Sequence, residues 1–404
     1  MRLLFVTSGP TYPLDSGNRI RMYHLIKNLA KNHEIYLISF VENEVELQAM
    51  DRMREFCKLV KCVYRSGYIR TNLIQKIFKF FMGTSYYIDD FKSEDMRKVI
   101  RDVVLSHKFD LAHFDFIEVG QYVDDVKDIP TILTEHDIFY LKTQRYLKAK
   151  QPFIEKLVTF REWIKLYQYE PKIWDKFDRV IVTSDHDASL IKSRRPKIKV
   201  SIVPNGVATE YFDISKVRHE STGEVSLVYT GTLDNIANSD AVLFFYKRIF
   251  SLIKVAIPEI RWYIVGKNPL PSIQEIAEKD PAINITGMVE DVRPYIARAT
   301  VYVTPIRIGS GTRLKILEAM SMKKAVVSTS IGCEGLNIEH NKNILIADNP
   351  QQFANFVIRA INDQPLRLKL GEIGRKLVVS EYDWKICAEK MEQVFVETCA
   401  SYGL

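Results

Sequence analysis

The run Thr304-Pro305-Ile306-Arg307-Ile308-Gly309-Ser310-Gly311-Thr312-Arg313-Leu314-Lys315-Ile316-Leu317-Glu318-Ala319-Met320 reads as strand, glycine-rich turn and helix in succession. Residues 300–304 are β-branched and aromatic, the composition of a buried strand. Gly309 and Gly311 punctuate a loop, and from Thr312 onward Leu314, Leu317 and Ser321 fall on one helical face. A helix N-terminus carries roughly half a positive charge and up to four unpaired N–H groups, so acids are favoured there and a cation costs about 0.3–1 kcal/mol. Arg313 and Lys315 break that rule. A phosphate seated on the open N–H groups reverses the sign of the cost, and glycine lets the backbone approach it closely. Lys315 and Glu318 are three residues apart and share a face, which sets a carboxylate beyond the phosphate, within reach of a ribose hydroxyl pair. Together these features call for a nucleoside diphosphate.

Outward from this stretch the chain alternates short apolar runs with helical patterns. Strands are expected at 3–7, 34–40, 59–64, 111–114, 131–135, 179–183 and 200–203, and again at 225–229, 261–265, 283–286, 300–304, 325–328 and 344–346. Such alternation predicts α/β architecture with parallel sheets. A length of 404 residues exceeds what one core fills, and Pro204-Asn205-Gly206 has the turn chemistry of a boundary, so two doubly wound domains are expected, divided near 204/205. The polar stretch 215–223 extends that hinge.

Composition is that of an ordinary globular protein, with 47% hydrophobic and 26% charged residues, and no apolar run approaches the ~20 residues that span a bilayer. The N-terminus reads as a first buried strand rather than a secretory leader, so a cytosolic location is expected. The five cysteines, Cys57, Cys62, Cys333, Cys387 and Cys399, lack the paired spacing of a disulfide framework or a zinc site.

The C-terminal half resembles the nucleotide-sugar domain of retaining glycosyltransferases of the GT-B fold, most closely glycosyltransferase family 4. The resemblance is carried by Val203-Pro204-Asn205-Gly206-Val207, Tyr229-Thr230-Gly231, Ile264-Val265-Gly266, the segment 285–292, the Gly-Thr-Arg-Leu-Lys-Ile-Leu-Glu-Ala-Met run, Gly332-Cys333-Glu334-Gly335-Leu336 and Tyr382-Asp383-Trp384. It implies two Rossmann-like domains facing a central cleft. One is an acceptor domain at 1–204, joined by a crossover helix at 384–404; the other is a donor domain at 205–383. It also implies a donor site for a UDP- or GDP-linked sugar from Gly17, Gly231, Gly266, Val289, Gly311, Thr312, Arg313, Lys315 and Glu318, with Val289 at the nucleobase. The chain departs from the family where two glutamates separated by seven residues are common: Glu318 is the second, and Ser310 stands at the first. Thr232 and Ala237 occupy positions where many members carry a diphosphate-binding Arg and Lys. Arg313 with Lys315 is the expected substitute.

In the first half, the loop after the opening strand holds Pro13, Ser16, Gly17, Asn18 and Arg19, and loops at strand carboxyl ends hold ligands in open α/β sheets. Ser16 is expected to cap the following helix, and Asn18, Arg19 and Asp137 are candidate acceptor contacts. His136 ends the fifth strand, where the family carries an active-site histidine that contacts the donor sugar. It is the leading catalytic candidate with Lys315 and Arg313, and Asp137 is expected to orient it or to bond substrate. His113, flanked by aromatics, is the rival, more in keeping with a packed ring.

Asp185-His186-Asp187 has the spacing of a metal-binding acid pair, but Ser184 with Asp187 is a capping-box pattern at a helix start, where acids are favoured. No metal or other cofactor is expected to be required.

The formal net charge is +7, and the residues from Lys58 to Lys79 include Lys61, Arg65, Arg70 and Lys76 with no acid among them. Ile74, Ile77, Phe78 and Phe81 follow helical spacing there. Two readings stay open: the stretch 58–82 rests on an anionic membrane, or its apolar stripe packs on the protein's own sheet. A second basic stretch, 142–165, is rich in aromatics. No nucleic-acid-binding module accompanies the charge.

The expected activity is retaining transfer of a sugar from a nucleotide diphosphate to a hydroxyl of a glycan or lipid-linked acceptor, in cell-surface polysaccharide or glycoconjugate synthesis. Two alternatives share the architecture: a non-catalytic nucleotide-sugar-binding subunit and a GT-B nucleotide-sugar epimerase. A nicotinamide enzyme is disfavoured, since Ser8-Gly9-Pro10-Thr11-Tyr12 lacks the dinucleotide fingerprint.

Overall fold

Strands buried on both faces read as unbroken apolar runs, and the runs named above become two all-parallel sheets. The structure is a computed structural model and describes residues 1–65, 85–147, 152–218, 223–309 and 311–403. Ser310 and positions 66–82 of the basic stretch lie outside the described residues.

The chain divides into two compact units, Met1–Asn205 with Trp384–Leu404, and Gly206–Asp383. In the first, β1 (Arg2–Thr7), β2 (Glu34–Val41), β3 (Leu59–Tyr64), β4 (Leu111–Asp115), β5 (Thr131–Glu135), β6 (Arg179–Val182) and β7 (Val200–Ile202) form one sheet in the order β3-β2-β1-β4-β5-β6-β7. The order reverses between β1 and β4, which pair directly, and that reversal opens a crevice at their carboxyl ends. The helix Gly17–Leu29 follows β1 and buries Met22, Leu25, Ile26 and Leu29, together with Arg21. The guanidinium of Arg21 donates to the carbonyls of Val203 (2.9 Å) and Pro204 (2.7 Å) and to Asn205 Oδ1 (2.9 Å). On the same helix His24 stacks on Trp384, which opens the last helix Trp384–Tyr402, at 5.5 Å and 3°.

The second unit has β8 (Ser226–Thr230), β9 (Arg261–Val265), β10 (Ile283–Gly287), β11 (Val301–Thr304), β12 (Val326–Ser328) and β13 (Leu345–Ile346) in the order β10-β9-β8-β11-β12-β13. Its neck is closed by a bridge between Val207 and Asp383 and by Thr209 Oγ1, which donates to Asp383 Oδ2 at 2.5 Å.

Among the described residues no helix is long and apolar enough to cross a membrane. The cysteines are free, and burial pushes the Cys57 thiol up to about 12. Ser184 caps the helix Asp185–Arg194, accepting from Asp187 N (3.2 Å) and donating to Asp187 Oδ2 (2.7 Å).

Candidate functional site

In the second unit the glycine-rich turn leads to the helix Leu314–Ser321, two residues later than the sequence pattern suggests. Gly311 has φ of +77°, a conformation that disfavours any side chain, and Arg313 stays extended at the N-cap. Only Lys315, of the two cations, lies within the helix. Its Nζ donates to Asn238 Oδ1 (2.9 Å) and Tyr229 OH (3.1 Å) and sits 4.3 Å from the Tyr229 ring centre. Tyr229 OH in turn donates to Asn238 Oδ1 at 2.7 Å.

Two glycines make room for this arrangement. A Cβ on Gly231 would lie 2.6 Å from Lys315 Nζ, and one on Gly266 would lie 1.7 Å from the Gly231 carbonyl oxygen. The ammonium therefore reaches the turn after β8, beside Thr232 and Ala237 where a basic residue is missing from the sequence. Burial, and then the neighbouring Arg313, bring the Lys315 ammonium down to about 7. Burial pushes the Glu318 carboxyl up to about 7, against the pull of Lys315. Thr312 Oγ1 is buried without a hydrogen-bond partner among the described residues. Val289 is half-buried behind the exposed Met288. Two neighbouring basic groups and an orphaned hydroxyl, with neutral oxygens as the hydrogen-bond partners of the ammonium, make a surface suited to a polyanion.

In the first unit His136 and Asp115 come from the ends of neighbouring strands, and His136 Nε2 lies 2.8 Å from Asp115 Oδ1. The imidazole stacks on Phe116 at 4.0 Å and 15°, and Phe116 is held at φ of +80°. The carboxylate bonded to the ring of His136 is thus that of Asp115, while Asp137 Oδ2 accepts from Lys142 at 3.1 Å. Asp115 was missed because its relation to His136 is set by strand pairing, 21 residues away in sequence. His113 is a packed ring: Nε2 meets Thr134 Oγ1 at 2.7 Å, Phe5 lies 4.8 Å away, and burial drives its pKa down to about 3.

A cavity of about 320 Å³ opens beside Asp115, bounded by Asn18, Arg19, Glu46, Phe116 and Glu118 among others. Arg19 is paired with Asp15 (3.3 Å) and Glu46. Burial pushes Glu118 up to about 7, and its Oε2 has no hydrogen-bond partner among the described residues. Gly17 is exposed and begins the helix, with Ser16 at the cap position. The Ser16 side chain makes no capping bond, contrary to expectation; it is exposed, where water satisfies the first turn equally well. Among the described residues no group of three His, Cys, Asp or Glu could hold a metal ion.

Comparison with known proteins places this geometry in a family. The model for Glycosyltransferase Family 4 matches residues 17–211, and that for Glycosyl transferases group 1 matches 224–363. Between them they account for most of both units, and the chain belongs to the group 1/family 4 glycosyltransferases, on the GT-B fold. An uncharacterized 44.6 kDa protein in the cps region of Klebsiella pneumoniae is 21% identical over 370 residues, covering 88% of this chain and 90% of that one. A lipopolysaccharide 1,2-N-acetylglucosaminetransferase of Salmonella typhimurium is 22% identical over 252 residues, 56% of this chain and 64% of its own. Among solved structures, sucrose-phosphate synthase from Thermosynechococcus elongatus superposes with a TM-score of 0.72 at 16% identity, covering 99% and 100% of the two chains. Anabaena HepE in complex with UDP and glucose gives 0.65 at 13% identity, covering 98% and 100%.

Proposed function

We propose that this glycosyltransferase moves a sugar, with retention, from a UDP- or GDP-sugar to a hydroxyl of a glycan or lipid-linked acceptor in cell-surface glycan synthesis. The observation that carries the reading is Lys315, a cation lowered to about 7 by burial and by Arg313 against the pull of Glu318, and hydrogen-bonded to the neutral oxygens of Tyr229 and Asn238. A diphosphate is the ligand that favours its charged form. In this reading Arg313, Lys315, Thr312 and the backbone at Gly231, Gly266 and Gly311 take the donor phosphates, Glu318 the ribose hydroxyls and Val289 the nucleobase edge. Gly17, at the start of the helix after β1, is a further candidate donor contact. As the bond from the anomeric carbon to the phosphate oxygen breaks, its electron pair leaves on the phosphate, where Lys315 and Arg313 stabilise the growing charge. The acceptor hydroxyl passes its proton to that departing phosphate oxygen and its own oxygen bonds to the anomeric carbon on the same face. His136, aimed by Asp115, contacts the donor sugar, and the cavity holding Asn18, Arg19 and Glu118 takes the acceptor, with Asp137 at the end of β5 a further contact. The relative in the cps region and the lipopolysaccharide 1,2-N-acetylglucosaminetransferase support a cell-surface acceptor.

Thermal unfolding against UDP, GDP, ADP and their sugars tests the reading. A ligand at 100 times its Kd adds about 2.7 kcal/mol. One nucleotide family should stabilise the wild type and leave Lys315→Ala unmoved, and acceptor-dependent product should keep the donor's anomeric configuration. No stabilisation by any nucleotide would sink the proposal. Donor binding without turnover would favour a silent subunit, and product without acceptor an epimerase.

A further inference from the structure

The cavity beside Asp115 has a wall of unbalanced charge. Four carboxylates line it, those of Glu42, Glu46, Asp115 and Glu118, against the two guanidiniums of Arg19 and Arg65. Both guanidiniums are committed. Arg19 is held between Asp15 (3.3 Å) and Glu46, and Glu46 also accepts from the backbone N–H of Glu42 (2.8 Å). Arg65 pairs with Glu42 and lies over the Phe91 ring at 4.7 Å. A ligand that drew either arginine away would leave a partly buried carboxylate without its partner, which is the costly way to break such a pair.

Asp115 and Glu118 remain. Asp115 is taken up by the ring of His136 at 2.8 Å. Glu118 sits in the one-turn helix Ile117–Gly120, and its Oε2 is buried with no hydrogen-bond partner among the described residues. Burial opposes its charge, as do Asp115 and Asp137, while Lys142, which favours it, is paired with Asp137 at 3.1 Å. A buried carboxylate in that state carries an unfavourable free energy until a donor reaches it, and once ionised it accepts hydrogen bonds and offers none. The ligand that completes this wall therefore brings O–H or N–H groups and no negative charge. An anion in the same space would face Asp115 and Glu118 with both lining guanidiniums already paired, a repulsive element of the kind that sets specificity. At about 320 Å³ the cavity is at the small end of ligand sites, roughly 300–1,000 Å³, and Ser8, Thr11 and Asn18 add neutral polar groups to it.

We propose that this cavity seats the accepting sugar and selects a ring without acidic groups, a neutral or amino sugar, whose hydroxyl or ammonium donates to Glu118. This rests on the reading of the cavity as the acceptor's, and it keeps any phosphate or uronate of the acceptor outside. Saturation-transfer NMR titrations of the full-length protein at pH 8, where the Glu118 carboxylate prevails, test it. The probes are the methyl glycosides of glucose, galactose and mannose, methyl glucosaminide, methyl glucuronide and glucose 6-phosphate. Wild type should bind at least one neutral or amino glycoside about tenfold or more tightly than the glucuronide and the phosphate. Glucosaminide set against glucoside tells whether Glu118 takes an ammonium or a hydroxyl. Glu118→Gln keeps the shape and removes the charge, so the ratio should fall to about twofold, with an unfolding temperature no lower than that of wild type.

An anionic probe bound as tightly as the neutral ones, no probe bound at all, or a ratio unchanged in Glu118→Gln overturns the proposal. So does a variant that unfolds several degrees lower, since Glu118 is then a structural partner of the chain itself. Stabilisation by nucleotide, measured alongside, separates the two readings. With it and without the ratio, only the acceptor class fails; without it the transferase reading fails, and the ratio still reads the cavity.

Discussion

Lys315 stood out in the sequence because a cation in the first turn of a helix is locally unfavourable, and rules of that kind tend to be broken at working sites. Its partners did not stand out: Tyr229 and Asn238 come from β8 and the helix after it, 86 and 77 residues away. The arrangement has a titration signature. Burial brings the free Lys315 ammonium down to about 7 and a bound diphosphate restores its proton, so the Lys315 contribution to donor affinity is full below pH 7 and falls by up to about tenfold per unit above it. Glu318, raised to about 7, acts with the opposite sign: ribose hydroxyls need the carboxylate, so affinity also falls as pH drops below 7. Calorimetric titration of the nucleotide sugar from pH 5 to 9 should give a bell. Lys315→Arg should lose its alkaline limb and Glu318→Gln its acid limb; a profile flat across the range would refute both assignments. Gly231→Ala puts a methyl 2.6 Å from the ammonium and 3.0 Å from Asn238 Nδ2, at a φ of +158° that disfavours any side chain, and should weaken donor binding about tenfold and lower the unfolding temperature as well.

Strands were the most legible elements. Each of the thirteen runs read from the sequence ends within one residue of an observed strand; in central strands such as β1, β4 and β8 burial on both faces leaves few polar positions to blur the pattern, and β-branched and aromatic residues mark edge strands such as β3, where Lys61 is exposed. Helix starts were less legible where the controlling group is distant. The helix Phe139–Leu147 is capped by Glu170 of the helix Phe153–Trp174, which accepts from Phe139 N (2.6 Å) and Tyr140 N (3.0 Å). Close by, Glu135 accepts from Trp174 Nε1 at 2.8 Å, and burial, then Glu170, hold its pKa well above the usual carboxylate range. The folded protein thus keeps a proton that the unfolded chain releases, so this group's contribution to stability is present at acid pH and lost as pH rises from about 4.5 toward the folded value. Glu135→Gln removes the dependence. Urea unfolding should find the variant ~1–3 kcal/mol more stable than wild type at pH 8 and equal to it at pH 5; equal stability at both would count against a strained carboxylate.

At the scale of the molecule, the helix Gly17–Leu29 grips the chain where it leaves the first unit, through Arg21 at 203–205, and where it returns, through His24 on Trp384. The last helix then buries Cys387, Met391 and Phe395 in the first unit. Truncation after Asp383 should abolish the first unit's unfolding transition in calorimetry and leave that of 206–383, whose neck is closed by Val207 and Asp383; a truncated chain that keeps both transitions would contradict this. Chains emerging from the ribosome ordinarily fold their N-terminal domain first. Here the anchor for Trp384 lies on the helix Gly17–Leu29, so the second unit has its whole sequence before the first does. The first unit must wait, incomplete, until residues 384–404 have been made.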